Sequence, residues 1–319
     1  MKKILCVLMS CLLFVMAGCS GHSKNLKFGA ADIGGVYYSF ASTFTQLADK
    51  EIDGYTFETK TTAGSVANLR LISDGYIDLA IVQADLLSDA YNATGTFADK
   101  KYQKGYKAVA SLYTECCQIV VRKDSGITGI DDLINKTVSV GASESGTEKN
   151  AEQILKMSGI TDELINKVNM DYTEAAEKLK AGEIDAFFCT AGTRTEVIGQ
   201  LSKECDIRLI SLDDKCIDKM LSAYSLCEKY TIPVGTYNGQ DSDVTTIGVK
   251  AVLIAKQSLS DDVIKNVTKT IYEHADDFKY ATSLDISFDI NTAADGVDIP
   301  FHSGAAAYYT ERGINVLTE

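Results

Sequence analysis

Ser143, Ser145, Gly146 and Thr147 stand together in the stretch VSVGASESGTEKNAEQIL, residues 138–155, and these are residue types that hold anions rather than break bonds. A β-branched run from Val138 to Val140 meets Gly141, crosses a loop of small hydroxyl residues and enters a helical pattern with Ala151, Ile154 and Leu155 on one face. The first turn of a helix has N–H groups without partners and a partial positive charge, so the spacing predicts a seat for a carboxylate or phosphate. Gly141 and Gly146 imitate a P-loop, but Thr147 and Glu148 follow where that motif needs Lys and Ser/Thr. Glu148 would repel a triphosphate, which argues against nucleotide hydrolysis. The structural alternative is a plain Ser/Thr helix cap.

Catalysis would need a nucleophile beside a base. Cys189 with His302 is the one conceivable pair, but Cys189 ends an apolar run and nothing in the sequence brings His302 to it, so the chain reads as a non-enzyme. No C-x-x-C spacing occurs, and His22, His274 and His302 are far apart, so neither a metal site nor a cofactor is expected. The net charge is −13, with 44 acidic residues against 31 basic, which makes nucleic acid an unsuitable partner. With five arginines in the chain, an anionic ligand would rest mainly on backbone N–H groups and hydroxyls. Arg194, just past Thr190 and Gly192, is either a bidentate partner for a distal carboxylate or an exposed residue at a helix start.

The elements that must position these residues alternate strand and helix. Leu26 to Ala30 reads as a strand, and Gly34-Gly35 opens a helix carrying Tyr37, Tyr38, Phe40, Ala41 and Phe44. Tyr38 would fill the core and Tyr37 would face a cleft. A strand at Tyr55 to Thr61, a helix from Gly64-Ser65 and a buried strand from Ile77 to Gln83 follow. A buried amide without partners costs about 1 to 3 kcal/mol, which makes Gln83 a candidate ligand or hinge contact. The phrase Ile72-x-x-Gly75-x-Ile77-Asp78, running to Val82-Gln83, returns as Leu179-x-x-Gly182-x-Ile184-Asp185, running to Cys189-Thr190. Two lobes of similar design are the simplest account. Between them, Lys107 to Leu112 and Gln118 to Lys123 read as two β runs separated by Tyr113 to Cys117. Thr245 to Lys256 reads as the return crossing, Ser260 to Phe278 as one amphipathic helix, and Tyr308-Tyr309 as part of a short last one. The alternation predicts an α/β fold with a mostly parallel sheet, whose ligands sit outside the carboxyl ends of the strands.

The first residues, MKKILCVLMSCLLFVMAGCS, pair Lys2 and Lys3 with an apolar run too short to span a membrane, ending in small residues before Cys19. They resemble a lipoprotein signal, residues 1–19, with Cys19 as the lipid anchor that tethers the mature chain outside the cytoplasmic membrane.

Seven ordered blocks carry a wider resemblance: IGGVYYSF at 33, TTAGSVANLRLISDGYIDLAIVQAD at 61, ASLYTECCQIVVRKDSGI at 110, VSVGASESGTEKNA at 138, GEIDAFFCTAG at 182, TIPVGTYNGQDSDV at 231 and IPFHSGAAAYY at 299. In these the chain resembles the TAXI group of solute-binding proteins, the receptors of one branch of TRAP transporters. The resemblance implies a two-lobed, periplasmic-binding-protein-like fold of type II with a ligand cleft between the lobes. It also implies a small, glutamate-like carboxylate as ligand and a sodium-coupled TRAP permease as partner. By motif it carries contact roles to Gly35, Val36 and Tyr37, to Thr62, Gly64 and Ser65, to Gln83, to Ser145, Gly146 and Thr147, and to Thr190 and Gly192. The chain departs from the family pattern at Asp32-Ile33, Ala63, Ala84 and Ser143-Glu144, and two of those residues are acidic near the cleft. The expected division is lobe 1 over 25–112 with 256–319 and lobe 2 over 113–255, in a monomer. A receptor of the same shape serving an ATP-driven (ABC) importer or a sensory system is the alternative.

Overall fold

The computed structural model describes residues 24–98, 102, 105–283 and 288–319, so Cys19 and the leader lie outside the described residues. The first half begins with β1 (Lys24–Gly29), α1 (Val36–Glu51), β2 (Tyr55–Lys60), α2 (Ser65–Ser73), β3 (Leu79–Gln83) and α3 (Ala84–Asn92). A long strand β4 (Tyr106–Arg122) leads to β5 (Thr137–Ser139), α4 (Gly146–Met157), β6 (Asn166–Val168), α5 (Tyr172–Ala181) and β7 (Ala186–Ala191). Then come α6 (Glu196–Glu204), β8 (Ile207–Leu209), α7 (Asp214–Ala223), β9 (Cys227–Ile232), a second long strand β10 (Val244–Lys256), and α8 (Asp261–Glu273), α9 (Ala275–Thr282) and α10 (Ser303–Thr310).

The strands form one sheet in the order β2-β1-β3-β10-β4-β7-β5-β6, with β8 on β4 and β9 on β10. β1 pairs in parallel with β2 and β3, and β5 in parallel with β6 and β7. The two long strands pair antiparallel and connect these parallel halves. β10 gives Ala251 to Ala255 to β3, while β4 gives Cys116 to Val121 to β7. Each long strand therefore belongs to both lobes.

This corrects the expected break at Tyr113 to Cys117, because β4 runs without interruption through it. Thr114 and Glu115 break the apolar run because Glu115 faces a cleft, not because the chain turns. The expected single helix over Ser260 to Phe278 is two helices parted at His274, whose φ of −114° and ψ of 28° leave the helical region. Its ring is held by Glu51 at 2.5 Å and Asp277 at 2.8 Å, which fixes the bend.

The echoed phrase builds the same device twice. Gly75 and Gly182 take positive φ, 82° and 75°, ending α2 and α5 in a conformation that disfavours a side chain. Asp78 then accepts the N–H of Lys27 at 2.9 Å, and Asp185 accepts the N–H of Thr137 at 2.8 Å. In both, the backbone N–H of the Asp returns the bond to the carbonyl of that same neighbour, at 2.8 Å. The carboxylate thus pins the start of one strand to the next, leaving the other end of the strand to open onto a loop.

Aromatic packing fills the first half. Phe28 meets Phe44 edge-on at 5.5 Å, and Phe40 stacks on Phe278 of α9 at 4.4 Å. The C-terminal segment returns to this half: the N–H of His302 donates to the carbonyl of Ala108 at 2.8 Å, and the Tyr309 hydroxyl to that of Val109 at 2.8 Å. Among the described residues, no helix is long and apolar enough to cross a membrane.

Candidate functional site

Three helix starts converge on a narrow cleft between the lobes. Its walls take Gly35, Val36 and Tyr37 from the start of α1, Gly64 and Ser65 from α2, Gln83 from the end of β3, and Ser145, Gly146 and Thr147 from α4. Asp32, Glu115, Tyr172 and Thr190 complete the polar lining, and among the described residues no lysine, arginine or histidine contributes. The caps of α1 and α2 are Gly35 and Gly64, which have no side chain to occupy the first-turn N–H groups. The positive ends of these helices and the N–H groups around them favour an oxyanion.

Sequence reading anticipated ten of these lining positions, and the structure gives several of them work inside the protein. The Ser145 hydroxyl accepts from Glu148 N–H at 2.9 Å as a helix cap. Thr147 is hydrogen-bonded to the Tyr172 hydroxyl at 2.5 Å and accepts from Thr190 N–H at 3.1 Å, and Ser65 accepts from Gln83 N–H at 3.1 Å. Thr62 and Gly192, also expected at the cleft, stand behind its walls. Thr62 donates to Asn68 at 2.7 Å and accepts from Gly64 N–H at 3.2 Å, while the Gly192 carbonyl accepts from Thr195 at 2.5 Å. Arg194 is exposed, with φ of 64°, and does not line the cleft. Tyr37 is nearly buried and Tyr38 half-buried, so the cleft-facing tyrosine is the deeper of the two.

The lobes touch across the cleft. Gln83, 2% exposed, donates through Nε2 to Asn150 of α4 at 3.0 Å, while its buried Oε1 has no partner. Gly64 lies against Ser145, where an added Cβ would come within 3.4 Å of the Ser145 Cα. Glu144, with φ of 64°, receives Arg70 on both carboxylate oxygens at 3.2 and 2.6 Å, and its carbonyl accepts from Ala67 N–H at 3.0 Å. The acidic departure at 144 therefore spends its charge on the opposite lobe.

The chemistry missed by sequence reading is at Glu115. This side chain is 3% exposed and accepts the Tyr37 hydroxyl at 2.6 Å. Burial pushes its carboxyl up to about 8, against the opposing hydrogen bonds from Tyr37 and Gln83. Burial, helped by Asp171, raises Asp32 to about 6. The signal for Glu115 was present as a polar residue interrupting an apolar strand. Tyr172 carried no such signal, being one tyrosine at the start of one more helix.

Cys189 and His302 are on separate elements. The Cys189 thiol is buried and pushed well above its ordinary value by that burial, and His302 caps α10 through Nδ1, which accepts Gly304 N–H at 3.2 Å. Among the described residues, no group of three or more His, Cys, Asp or Glu is placed to hold a metal.

A cleft between two α/β lobes joined by long shared strands is the architecture of two-lobed periplasmic binding proteins. The sequence pattern of the NMT1-like family matches residues 28–313, and the chain belongs to that family. Its fold is similar to that of PhnD1 from Prochlorococcus marinus, solved with methylphosphonate, with a TM-score of 0.54 and 13% identity over 92% of this chain and 91% of that one. It is similar to a binding-protein component of an ABC phosphonate transporter from Pseudomonas aeruginosa, with a TM-score of 0.54 and 11% identity over 81% and 78% of the two chains. A putative L-cystine ABC transporter protein from Listeria monocytogenes gives 0.52 and 14% identity over 82% and 94%. At these identities the likeness is one of fold.

Proposed function

We propose that the protein is an extracytoplasmic solute receptor that closes its lobes on a small carboxylate and presents it to a membrane importer. The observation that carries this reading is the meeting of three helix N-termini, from both lobes, around one cleft without a basic side chain. The carboxylate would rest beside Gly35 on N–H groups at Val36 and Tyr37, Ser65 and Gly146 to Thr147, with Gln83 and Thr190 as further contacts; the Gly35 N–H itself is donated to the Asp32 carbonyl at 3.0 Å. The lobes, expected as 25–112 with 256–319 and 113–255, would hinge within β4 and β10, the second crossing falling near Ala251 where β10 takes up β3, and Cys19 would tether the chain by lipid. Isothermal titration against glutamate, 2-oxoglutarate and glutarate, with mass spectrometry of co-purified molecules, tests the ligand class; a folded protein that binds none of the three removes it.

Two partners have specific support. The names of the similar structures favour an ABC importer. The seven blocks resembling TAXI receptors favour a sodium-coupled TRAP permease. Uptake into vesicles with the co-expressed permease separates them: ATP hydrolysis drives the first and a sodium gradient the second.

A further inference from the structure

We propose that Glu115 determines which solute is kept: it remains neutral in the cleft and gives its single O–H to an anionic oxygen of the bound carboxylate. The inference rests on the carboxylate reading above.

The geometry leaves few alternatives for this side chain. Glu115 is on β4 where the strand passes from one lobe to the other, and it lines the cleft on which the helix starts converge. One carboxyl oxygen is already engaged as acceptor for Tyr37. An ionised Glu115 would place a second negative charge beside the anion seat with no basic residue in the lining to offset it. A neutral Glu115 has one O–H to place. Gln83, whose Oε1 has no partner, lines the same wall, and that amide oxygen is the acceptor we assign to the O–H before a solute enters. A solute oxygen then takes that O–H in turn.

The groups around Glu115 stay out of its titration. Tyr37 on α1, Tyr113 and Cys116 on β4, Tyr172 on α5 and Cys189 on β7 are all pushed well above their ordinary values, burial being the main cause in each. Asp85 on α3 and Asp32 are raised only to about 6, chiefly by burial, so both are largely ionised by neutral pH. Between pH 7 and 9, Glu115 is the group facing the cleft that changes charge.

The test is isothermal titration with 2-oxoglutarate, whose carboxyls stay ionised over this range, for the wild type and Glu115→Gln. Because only the protonated receptor binds, wild-type affinity should fall roughly tenfold from pH 7 to 9. Glu115→Gln, whose amide always donates, should give a flat profile whatever its affinity at pH 7. Tyr37→Phe, which removes a bond that favours the ionised form, should move the decline to higher pH. A flat or rising wild-type profile overturns the inference, as does a decline that survives unchanged in Glu115→Gln. Binding of none of glutamate, 2-oxoglutarate and glutarate at any pH sinks the carboxylate reading and this inference together, whereas binding with a flat profile sinks the inference alone.

Discussion

β3 and β7 are built by the same phrase and finish differently. Each follows a glycine-capped helix, and each is pinned at its start by an aspartate on a neighbouring N–H. Past the pinned strand the likeness ends. β3 passes straight into α3 through Gln83, whose amide reaches across to the other lobe, while β7 ends at Thr190 and Ala191, both on the cleft wall. The repeated part sets where a strand starts, and the unrepeated residue at its far end decides what the cleft presents. Scaffold and site are therefore separable by mutation.

The largest effect should come from Gly146→Ala. A Cβ there would come within 2.3 Å of Gln83 Oε1 and 2.4 Å of its Cδ, so the amide must leave Asn150 for the lobes to close. Gln83 is buried and has little room to yield. We expect solute affinity to fall by roughly tenfold or more, about 1.4 kcal/mol in titration calorimetry. An unchanged Kd would mean that the cross-lobe amide contributes nothing to closure.

Glu115 adds a stability effect that needs no solute. Its folded value, about 8, is above the ordinary 4.5, so the folded state holds the proton more tightly. Between those values the folded protein binds more protons than the unfolded chain, and stability falls as pH rises from about 4.5 to about 8. Asp32 and Asp85 act with the same sign over a narrower span, to about 6. The measurement is therefore a difference: thermal melts of wild type and Glu115→Gln from pH 5 to 8 should show the wild type losing stability more steeply. Parallel curves would place the Glu115 proton elsewhere.

Much of the scaffold was legible because it follows from local rules. Glycines at positive φ end α2 and α5, and hydroxyl and glycine residues open the helices that line the cleft. The two long strands were half legible. The apolar pattern placed both ends of β4, but a buried acid in its middle looks like a loop until the other lobe is in place. Glu144 was legible only as an acidic departure near the cleft, because its partner Arg70 is 74 residues away in the chain, beyond any local pattern. Thr62 was expected to touch the ligand because the family motif carries that role to it. Its hydroxyl is instead committed to Ala30, Asn68 and Gly64, a competition that only the folded backbone reveals.

The aspartates test the comparison more gently. Asp78 accepts Lys27 N–H and also pairs with Lys256 at 2.8 Å, whereas Asp185 is placed by the strand contact to Thr137. Replacing each with Asn removes the charge from the bond, and in the first case an ion pair as well. Urea unfolding should show Asp78→Asn costing about 2 kcal/mol and Asp185→Asn about 1 kcal/mol, the extra arising from the charge-assisted contact. Equal costs would show that Lys256 contributes little to holding β10 against β3.

The smallest expected effect is at Arg70, although it makes the most visible bridge between the lobes. Its bidentate bond to Glu144 is made with side chains 32% and 43% exposed, so water screens much of the attraction. Opening the lobes also returns both groups to solvent that hydrates them well. Arg70→Ala should therefore weaken solute binding by only about threefold, about 0.6 kcal/mol, and the loss should shrink further in 0.5 M salt as the ions are screened. Because the Glu144 carbonyl still accepts Ala67 N–H, the loop keeps its place without the charge. A loss as large as that of Gly146→Ala would reverse the ranking, making the exposed ion pair rather than the buried amide the contact that holds the lobes together.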